Sequence, residues 1–314
     1  MSGGSLRCIF GPVPSRRLGR SLGVDLVPLK TCTYDCIYCQ LGRTTVKTTE
    51  RREYVPASAV IDELRRVLEA GVQADYLTFS GSGEPTLHAG IGDILAAAKR
   101  FSKIPVAVLT NGSLLWNKDV QKALVNADLV IPSLDAGDAN LFRYVNRPHP
   151  DVTFDIMLGG LASFRQRFCR PIWLEVMLLG GVTSVDEEVR RIARLAKHMA
   201  PDRVQFNTVV RPPAEDYALR VPAEVMERLA GLFDPPAEVV APREPPPSSA
   251  FGAADREAVL ALLRRRPCTT QDVATGLGLH VGESAKLLES LLAEGAIIRV
   301  FQTGQYFHLP ADRE

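Results

Sequence analysis

"KTCTYDCIYCQ", residues 30–40, places three cysteines within eight positions of a 314-residue chain that has six cysteines in all. Cys32, Cys36 and Cys39 come directly after an apolar run, residues 22–29, whose pattern predicts a β-strand. Thiolates are soft ligands that select transition metals and iron–sulfur clusters. The stretch therefore predicts a parallel strand that leads into a site with three closely spaced sulfur ligands.

The overall composition is that of an ordinary globular protein, with 46% hydrophobic and 23% charged residues. The formal net charge of +1 gives no bulk electrostatic reason to expect a nucleic-acid or membrane partner. The N-terminal residues lack the pattern of a signal peptide, and no run approaches the ~18 apolar residues of a membrane-spanning helix. We therefore predict a cytoplasmic protein, in a reducing compartment where clustered cysteines hold metal or do redox chemistry rather than form disulfides.

Apolar, β-branched runs alternate with amphipathic segments from about Gly23 to about Phe233. The amphipathic segments 57–70 and 184–200 have helical periodicity. This alternation predicts an α/β fold of βαβ units with a parallel sheet. Six right-handed units can form a partial barrel or a doubly wound sheet, and the pattern alone does not choose between them. The predicted strands lie at residues 22–29, 75–80, 104–110, 128–134, 172–179 and 203–210.

A proline-rich stretch separates this region from the end of the chain. Residues 234–254 carry six prolines in 21 residues, which predicts a spacer because proline fixes φ and removes a donor. The predicted domains are therefore 1–234 and 255–314, joined by a linker over 235–254. The run "AEVV" within the linker could add one short strand.

The last sixty residues show the pattern of a small winged-helix domain. Segments 255–266, 269–279 and 280–295 have helical character, and two strands are predicted in 296–310 around Thr303 and Gly304. Such domains often bind DNA, but this one has seven basic and eight acidic residues, a net charge of −1. Proteins that read a DNA groove supply several cations to phosphates. We therefore expect this domain to dock a protein, a peptide, another substrate or the main domain rather than DNA.

Several chemistries compete for the three cysteines. A zinc site prefers four ligands, and the nearest further cysteine or histidine is Cys8 or His88. A thioredoxin-like redox pair would use Cys36 and Cys39 and would not need Cys32. A four-iron cubane is usually held by four thiolates, so three leave one iron with an open coordination position. This last interpretation fits best, and the open position would then receive a substrate or cosubstrate.

The spacing C-x3-C-x2-C, with Tyr38 before the last cysteine, resembles the signature of radical S-adenosylmethionine (SAM) enzymes. The segment "LTFSGSGEPTL", residues 77–87, is similar to the Gly-Gly-Glu-Pro motif of that superfamily. The resemblance implies a partial (β/α)6 barrel, a [4Fe-4S] cluster on the three cysteines and SAM on the open iron. It also implies that Glu84 and the adjacent backbone bind the methionine amino group, where Gly81 and Gly83 let the backbone approach the ligand.

The reaction implied by this resemblance begins with reductive cleavage of SAM to a 5′-deoxyadenosyl radical, which abstracts hydrogen from a substrate. An electron donor of the flavodoxin or ferredoxin type is then expected. In a parallel barrel the chemistry lies at the carboxyl ends of the strands. Polar residues occur there, and we predict ribose contacts for Ser133 and Asp135 and a further SAM contact for Asn111. Glu175 and Asn207 are further polar residues at such strand ends.

Motifs over residues 9–215 resemble the branch of the superfamily related to the enzymes that form the tricyclic wyosine base on tRNA. These motifs include "TNGSLL", "PSLDAGD" and "VNRPHP". Those enzymes carry a second cluster on extra N-terminal cysteines, and a second three-cysteine site is not visible in this sequence. We therefore carry over the SAM chemistry without the tRNA reaction, and leave protein, peptide and tRNA open as substrates. The alternatives are an iron–sulfur redox sensor that binds DNA through the winged helix, and a zinc-stabilised scaffold.

Arginines near the predicted strand ends suggest an anionic substrate. The segment "PSRRLGRSLG", residues 14–23, holds three arginines, and Arg143, Arg147, His149 and Arg211 follow later strands. Guanidinium groups bind phosphate or carboxylate through paired hydrogen bonds. The alternative is that these arginines form surface salt bridges.

Overall fold

The computed structural model describes residues 8–240 and 256–312. Strands and helices alternate along the first range. Its elements are β1 (Ile9–Ser15), β2 (Gly19–Val24), β3 (Thr31–Cys32), β4 (Val46–Lys47), α1 (Ala57–Glu69), β5 (Tyr76–Phe79), α2 (Ile91–Phe101), β6 (Val106–Thr110), α3 (Lys118–Leu124), β7 (Leu129–Pro132), α4 (Ala139–Val145), α5 (Phe154–Arg167), β8 (Trp173–Leu178), α6 (Asp186–Met199), β9 (Arg203–Thr208), α7 (Ala223–Ala230) and β10 (Glu238–Val239).

The strands form one curved layer in nearly sequential order. One sheet has the order β1-β2-β5-β6-β7, and a second has the order β10-β9-β8. Parallel bridges from Val130 to Ile172 and from Ser133 to Glu175 join β7 to β8. Since β2, β5, β6, β7, β8 and β9 follow one another without a reversal of order, the crossover helices lie on one side of the layer. The structure therefore forms the partial barrel and not the doubly wound sheet.

Side chains along each strand alternate between the outer face of the sheet, which the helices cover, and the inner face. On β8, Leu174, Val176 and Leu178 are buried, whereas Trp173, Glu175 and Met177 are half-buried. The three buried residues belong to the core. The other three point to the opposite face, because neighbouring side chains of a strand alternate. Glu175 therefore lies on the inner face of the barrel.

The structure corrects the predicted boundaries at the first strand. Strand β2 covers Gly19–Val24 rather than 22–29. Asp25 follows the last residue of β2, and its carboxylate accepts a hydrogen bond from the backbone N–H of Ser82, 3.1 Å away. An additional strand, β1, pairs antiparallel with β2. It was missed because residues 9–15 contain two prolines and a glycine, which are rare in strands.

The C-terminal unit contains three helices followed by an antiparallel hairpin. Its elements are α8 (Arg256–Arg265), α9 (Thr270–Leu277), α10 (Val281–Ala293), β11 (Ile297–Gln302) and β12 (Gln305–Pro310). Thr269 caps α9 in a reciprocal arrangement with Asp272, and Gly278 ends that helix in the left-handed region. The order of elements agrees with the sequence pattern. Its classification as a winged helix stays a prediction.

This unit has its own apolar core and packs against the edge of the barrel. Val259, Leu263 and Val273 belong to that core, and Val13 of β1 packs against it. The Arg265 guanidinium lies 4.5 Å from the centroid of the Phe10 ring, also on β1. The predicted "AEVV" strand is confirmed as β10, which pairs with β9. The rest of the predicted linker, residues 241–254, lies outside the described residues.

Across the described ranges, none of the helices combines the length and apolar composition that crossing a membrane requires.

Candidate functional site

The cysteine loop lies directly against the glycine-rich loop that follows β5. The backbone N–H of Lys30 donates to the carbonyl of Ser82 over 2.7 Å, and the N–H of Glu84 donates to the carbonyl of Thr31 over 3.2 Å. A Cβ on Gly83 would clash with the Thr31 carbonyl oxygen and lie 2.7 Å from its carbonyl carbon. The two sequence motifs are therefore joined by backbone contacts, and one of them depends on a glycine.

The three cysteine side chains are half-buried and close enough to influence one another. Burial raises the pKa of Cys32 to about 12, and the charges of Glu84 and Cys39 act in the same direction. Burial also raises the pKa of Cys36, with contributions from Cys32 and Cys39. Two asparagine amides donate to sulfur: Asn111 to Cys32 over 3.5 Å and Asn146 to Cys36 over 3.6 Å. A positive group bound between the sulfurs would stabilise the thiolate forms.

The described residues contain no group of three His, Cys, Asp or Glu side chains that converges on one metal-ion position. This result bears on the kind of metal centre. In a cubane each thiolate binds a different iron atom, so the sulfurs need not converge on one point. A single zinc ion, in contrast, needs all its ligands at one point. The arrangement of Cys32, Cys36 and Cys39 therefore lends no support to a zinc scaffold.

Glu84 anchors the glycine-rich loop to the end of β6. Its Oε1 accepts hydrogen bonds from the backbone N–H of Thr86 and from the hydroxyls of Thr86 and Thr110. Its Oε2 accepts the backbone N–H of Asn111 over 2.8 Å. The side chain is 2% exposed, and burial raises its pKa despite these bonds. Most of its acceptor capacity is therefore used by the protein, which leaves Oε2 as the oxygen with room for a ligand.

Asp135, Tyr38 and Asn146 form a buried network beside Cys36. The Tyr38 hydroxyl and the Asn146 amide, at 2.8 Å, both donate to Oδ2 of Asp135. The backbone N–H of Met177 donates to Oδ1 over 3.0 Å. Burial raises the pKa of Asp135, and the three donors oppose that shift. Asp135 thus connects β7, α4, β8 and the cysteine loop.

Asn146 is a site residue that the sequence prediction did not single out. It donates to Cys36, and its Oδ1 atom is buried with no hydrogen-bond partner. The only signal was its place in the quoted "VNRPHP" motif. A buried polar oxygen without a partner is uncommon in native structures, so it marks a position that a ligand or water can satisfy.

Ser133 and Asp135 lie where the sequence predicted them, just beyond β7. Ser133 forms a backbone bridge with Glu175 of β8. Glu175 in turn pairs with Arg17, from the turn between β1 and β2. The Asp135 carboxylate is occupied by protein donors, and its predicted contact with ribose stays a prediction, as does that of Ser133.

The arginines predicted to grip an anion fall into two groups. Arg147 pairs with Glu215 at 2.6 Å, donates to the Tyr217 hydroxyl at 2.8 Å and lies 3.8 Å from Asp35. Its ion pairs tie the cysteine loop to the loop after β9, so for Arg147 the salt-bridge alternative is confirmed. Arg211, in contrast, lies at the contact between the barrel and the C-terminal unit.

Replacing Tyr38 by phenylalanine is expected to destabilise the protein by about 1–3 kcal/mol, because the buried Asp135 carboxylate loses one of its three donors. Urea unfolding of the apo-protein measures the change. Tyr144→Phe is the matched control, since Tyr144 is 49% exposed. Equal unfolding midpoints for the two variants would show that the Tyr38 hydroxyl does not contribute to the network.

Comparisons with known proteins agree with this geometry. The model of the radical SAM superfamily matches residues 26–196. A radical SAM methyltransferase from Sphaerobacter thermophilus has a similar fold, with a TM-score of 0.51 and 18% identity over 70% of this chain and 65% of that one. The chain belongs to the radical SAM superfamily, whose members bind a [4Fe-4S] cluster and SAM.

Two curated relatives are more similar in sequence. UPF0026 protein MJ1312 of Methanocaldococcus jannaschii is 33% identical over 96% of this chain and 95% of its own length. Within the superfamily, the chain therefore belongs with the UPF0026 proteins. A protein named GTPase Obg from Brachyspira hyodysenteriae is 36% identical over 92% of this chain, which spans 43% of that relative's length.

Proposed function

We propose that this protein is an enzyme that cleaves SAM reductively and uses the resulting radical on a substrate C–H bond. The observation that carries the proposal is the backbone contact between the cysteine loop and the Glu84 loop, at the carboxyl edge of the parallel strands. The proposed cluster ligands are Cys32, Cys36 and Cys39. The proposed SAM contacts are Tyr38, Gly81, Gly83, Glu84, Asn111, Ser133 and Asp135.

The residues present fit the cluster and SAM. The donor set is three thiols, and burial together with the neighbouring cysteines raises the pKa of Cys32 and of Cys36, an arrangement that a cationic iron centre would relieve. The two amide donors to sulfur are of the kind that tunes the reduction potential of such clusters. The one orphan oxygen among these donors, Oδ1 of Asn146, is buried beside Cys36 and can accept a hydrogen bond from a ligand.

When bound, the cluster would supply one electron and SAM would supply the 5′-deoxyadenosyl group that abstracts hydrogen. The protein's own residues hold the site in place. Glu84 fixes the glycine-rich loop to β6, and Asp135 joins the cysteine loop to β7 and β8. Arg147 keeps the cysteine loop against the loop after β9. A rigid, buried site positions the substrate and excludes water from the reactive group.

The substrate is proposed to be a protein, a peptide or a tRNA. The wyosine-like motifs do not decide between them, and the near-neutral C-terminal unit slightly favours a protein or peptide. A flavodoxin or ferredoxin is the proposed electron donor, and the cytoplasm is the proposed compartment. The redox-sensing DNA-binding alternative gains no support, because Arg256 and Arg299 of the C-terminal unit pair with Glu294 and Glu289.

Anaerobic reconstitution tests the proposal. The wild-type protein is expected to bind about four iron and four sulfide ions per chain. Dithionite and SAM should then yield 5′-deoxyadenosine, which liquid chromatography with mass spectrometry measures. Zinc in place of iron, or an iron-loaded protein that makes no 5′-deoxyadenosine, would contradict the proposed chemistry.

A further inference from the structure

Three arginines from distant parts of the chain meet where the C-terminal unit contacts the barrel. Arg16 lies in the turn between β1 and β2, Arg211 follows β9, and Arg266 follows α8. Burial lowers the pKa of Arg16, and the positive charges of Arg211 and Arg266 lower it further, so the three side chains lie close together. We call these three residues the arginine junction.

The arginine junction has more positive than negative charge among the described residues. Asp272 is the one acidic group among the described residues that offsets charge at Arg16, and it lies 3.6 Å from Nη2 of Arg211. Oδ2 of Asp272 already accepts the backbone N–H of Thr269 at 3.1 Å. The neighbouring Arg17 has its own partner, Glu175, and so contributes no surplus charge. In the part of the chain that the structure describes, three guanidinium groups therefore share one carboxylate, which leaves a local excess of two positive charges.

One of these arginines has a buried donor that the described residues do not satisfy. Nη2 of Arg266 is buried and has no hydrogen-bond partner. Arg16 forms no ion pair within 4 Å with any described carboxylate. Arg211 donates Nε to the Pro267 carbonyl at 3.0 Å, so its position is fixed by the C-terminal unit. Burying unpaired guanidinium donors is costly, so the arrangement calls for an anion.

Several other arginines of the chain form close ion pairs with carboxylates. Arg147 pairs with Glu215, Arg228 with Asp186 at 2.8 Å, and Arg20 with Asp75 at 3.1 Å. The ion pairs of these three arginines contrast with Nη2 of Arg266, which is buried without a partner among the described residues.

We propose that the arginine junction binds a phosphate group of the substrate. The proposal rests on the proposed function only in assigning the phosphate to the substrate. Three guanidinium forks that approach from three chain segments suit the several oxygens of a phosphate better than the two of a carboxylate. The junction joins β1, at one edge of the barrel, to the loop after β9 near the other edge. A phosphate bound there would hold the substrate at the open side of the barrel.

Titration calorimetry with inorganic phosphate tests the site, using reconstituted full-length protein at fixed ionic strength. The wild type is expected to bind phosphate, and Arg266→Gln and Arg211→Gln are expected to weaken binding at least about tenfold, as loss of a charged hydrogen bond predicts. Arg266→Lys keeps the charge and the fold but loses the paired donors, so an intermediate loss is expected. Arg264→Gln is the control, because Arg264 is an exposed neighbour on α8.

Competition then identifies the source of the phosphate. Displacement of inorganic phosphate by adenosine monophosphate indicates a small phosphate ester, and displacement by bulk tRNA alone indicates an RNA backbone. No binding to the wild type, equal binding by Arg264→Gln and Arg266→Gln, or no displacement by either competitor would overturn the proposal. Because these measurements need no SAM turnover, their failure is distinct from failure of the proposed chemistry.

Discussion

Replacing Cys36 by serine is expected to abolish both cluster incorporation and formation of 5′-deoxyadenosine. A serine hydroxyl does not ionise at neutral pH, so the cubane would keep two protein ligands in place of three. The Asn146 amide that donates to Cys36 would lose its sulfur acceptor as well. Iron and sulfide content after anaerobic reconstitution, followed by the dithionite assay, measures the loss. Product should fall below about one thousandth of the wild-type yield, as expected when a group that acts as part of a unit is removed.

Cys169→Ser is the matched control for this prediction. Cys169 is an exposed thiol in the link between α5 and β8, and no described contact joins it to the three clustered cysteines. Its replacement should leave iron content and product yield at wild-type levels. If Cys36→Ser retains its iron, or if Cys169→Ser loses it equally, then the three-cysteine site is not the cluster site.

Loss of the cluster must also be separated from loss of the fold. Cys36 is half-buried and packs at the margin of the main core. Exchanging its sulfur for an oxygen should cost about 1 kcal/mol in the apo-protein, because a hydroxyl is less favourable among apolar neighbours. Circular dichroism and urea unfolding of the two apo-proteins check this, and a folded Cys36→Ser protein assigns the lost activity to the ligand.

The sequence predicted those parts of the structure that depend on short stretches of chain. The six parallel strands and the C-terminal helices appear as local patterns of apolar residues. The cysteine spacing and the "GSGEP" motif are also local, and the resemblance placed them together. The partial barrel then follows because consecutive parallel strands in sequential order keep their helices on one side.

Contacts between distant segments could not be predicted in the same way. Asn146 is 110 positions from Cys36, and no periodicity marks a single asparagine as a neighbour of sulfur. Arg147 and Arg211 both precede a proline. Arg147 nevertheless pairs with Glu215, whereas Arg211 donates to the Pro267 carbonyl of the C-terminal unit. Their difference depends on which carboxylates the fold brings close, which is a property of the assembled barrel.

The two glycines of the SAM motif illustrate the same limit. From the sequence we predicted that Gly81 and Gly83, which have no Cβ, let the backbone approach a ligand. In the structure the Cβ direction of Gly81 leads to the Asp25 carboxylate, with atoms 2.6–2.9 Å away, and that of Gly83 leads to the Thr31 carbonyl. These glycines therefore allow two protein segments to pack closely, which positions the cysteine loop before any ligand binds.

Gly83→Ala is accordingly expected to destabilise the apo-protein by about 3 kcal/mol and to lower its iron content strongly. The new methyl group would overlap the Thr31 backbone, which cannot move without shifting Cys32 next to it. Overpacking against the backbone is costly because no side-chain rotation relieves it. Urea unfolding gives the change in stability, and iron analysis after reconstitution gives the effect on the site.

Gly159→Ala provides the opposite case in the same protein. Gly159 lies within α5, and a Cβ there would meet no atom within 4 Å. Alanine has the higher helix propensity, so this variant should be stabilised by about 0.5–1 kcal/mol and should bind iron normally. If Gly83→Ala behaved like Gly159→Ala, the cysteine loop would have to yield freely to the added methyl group. The close contact between the two motif loops could then not be what holds the proposed cluster ligands in position.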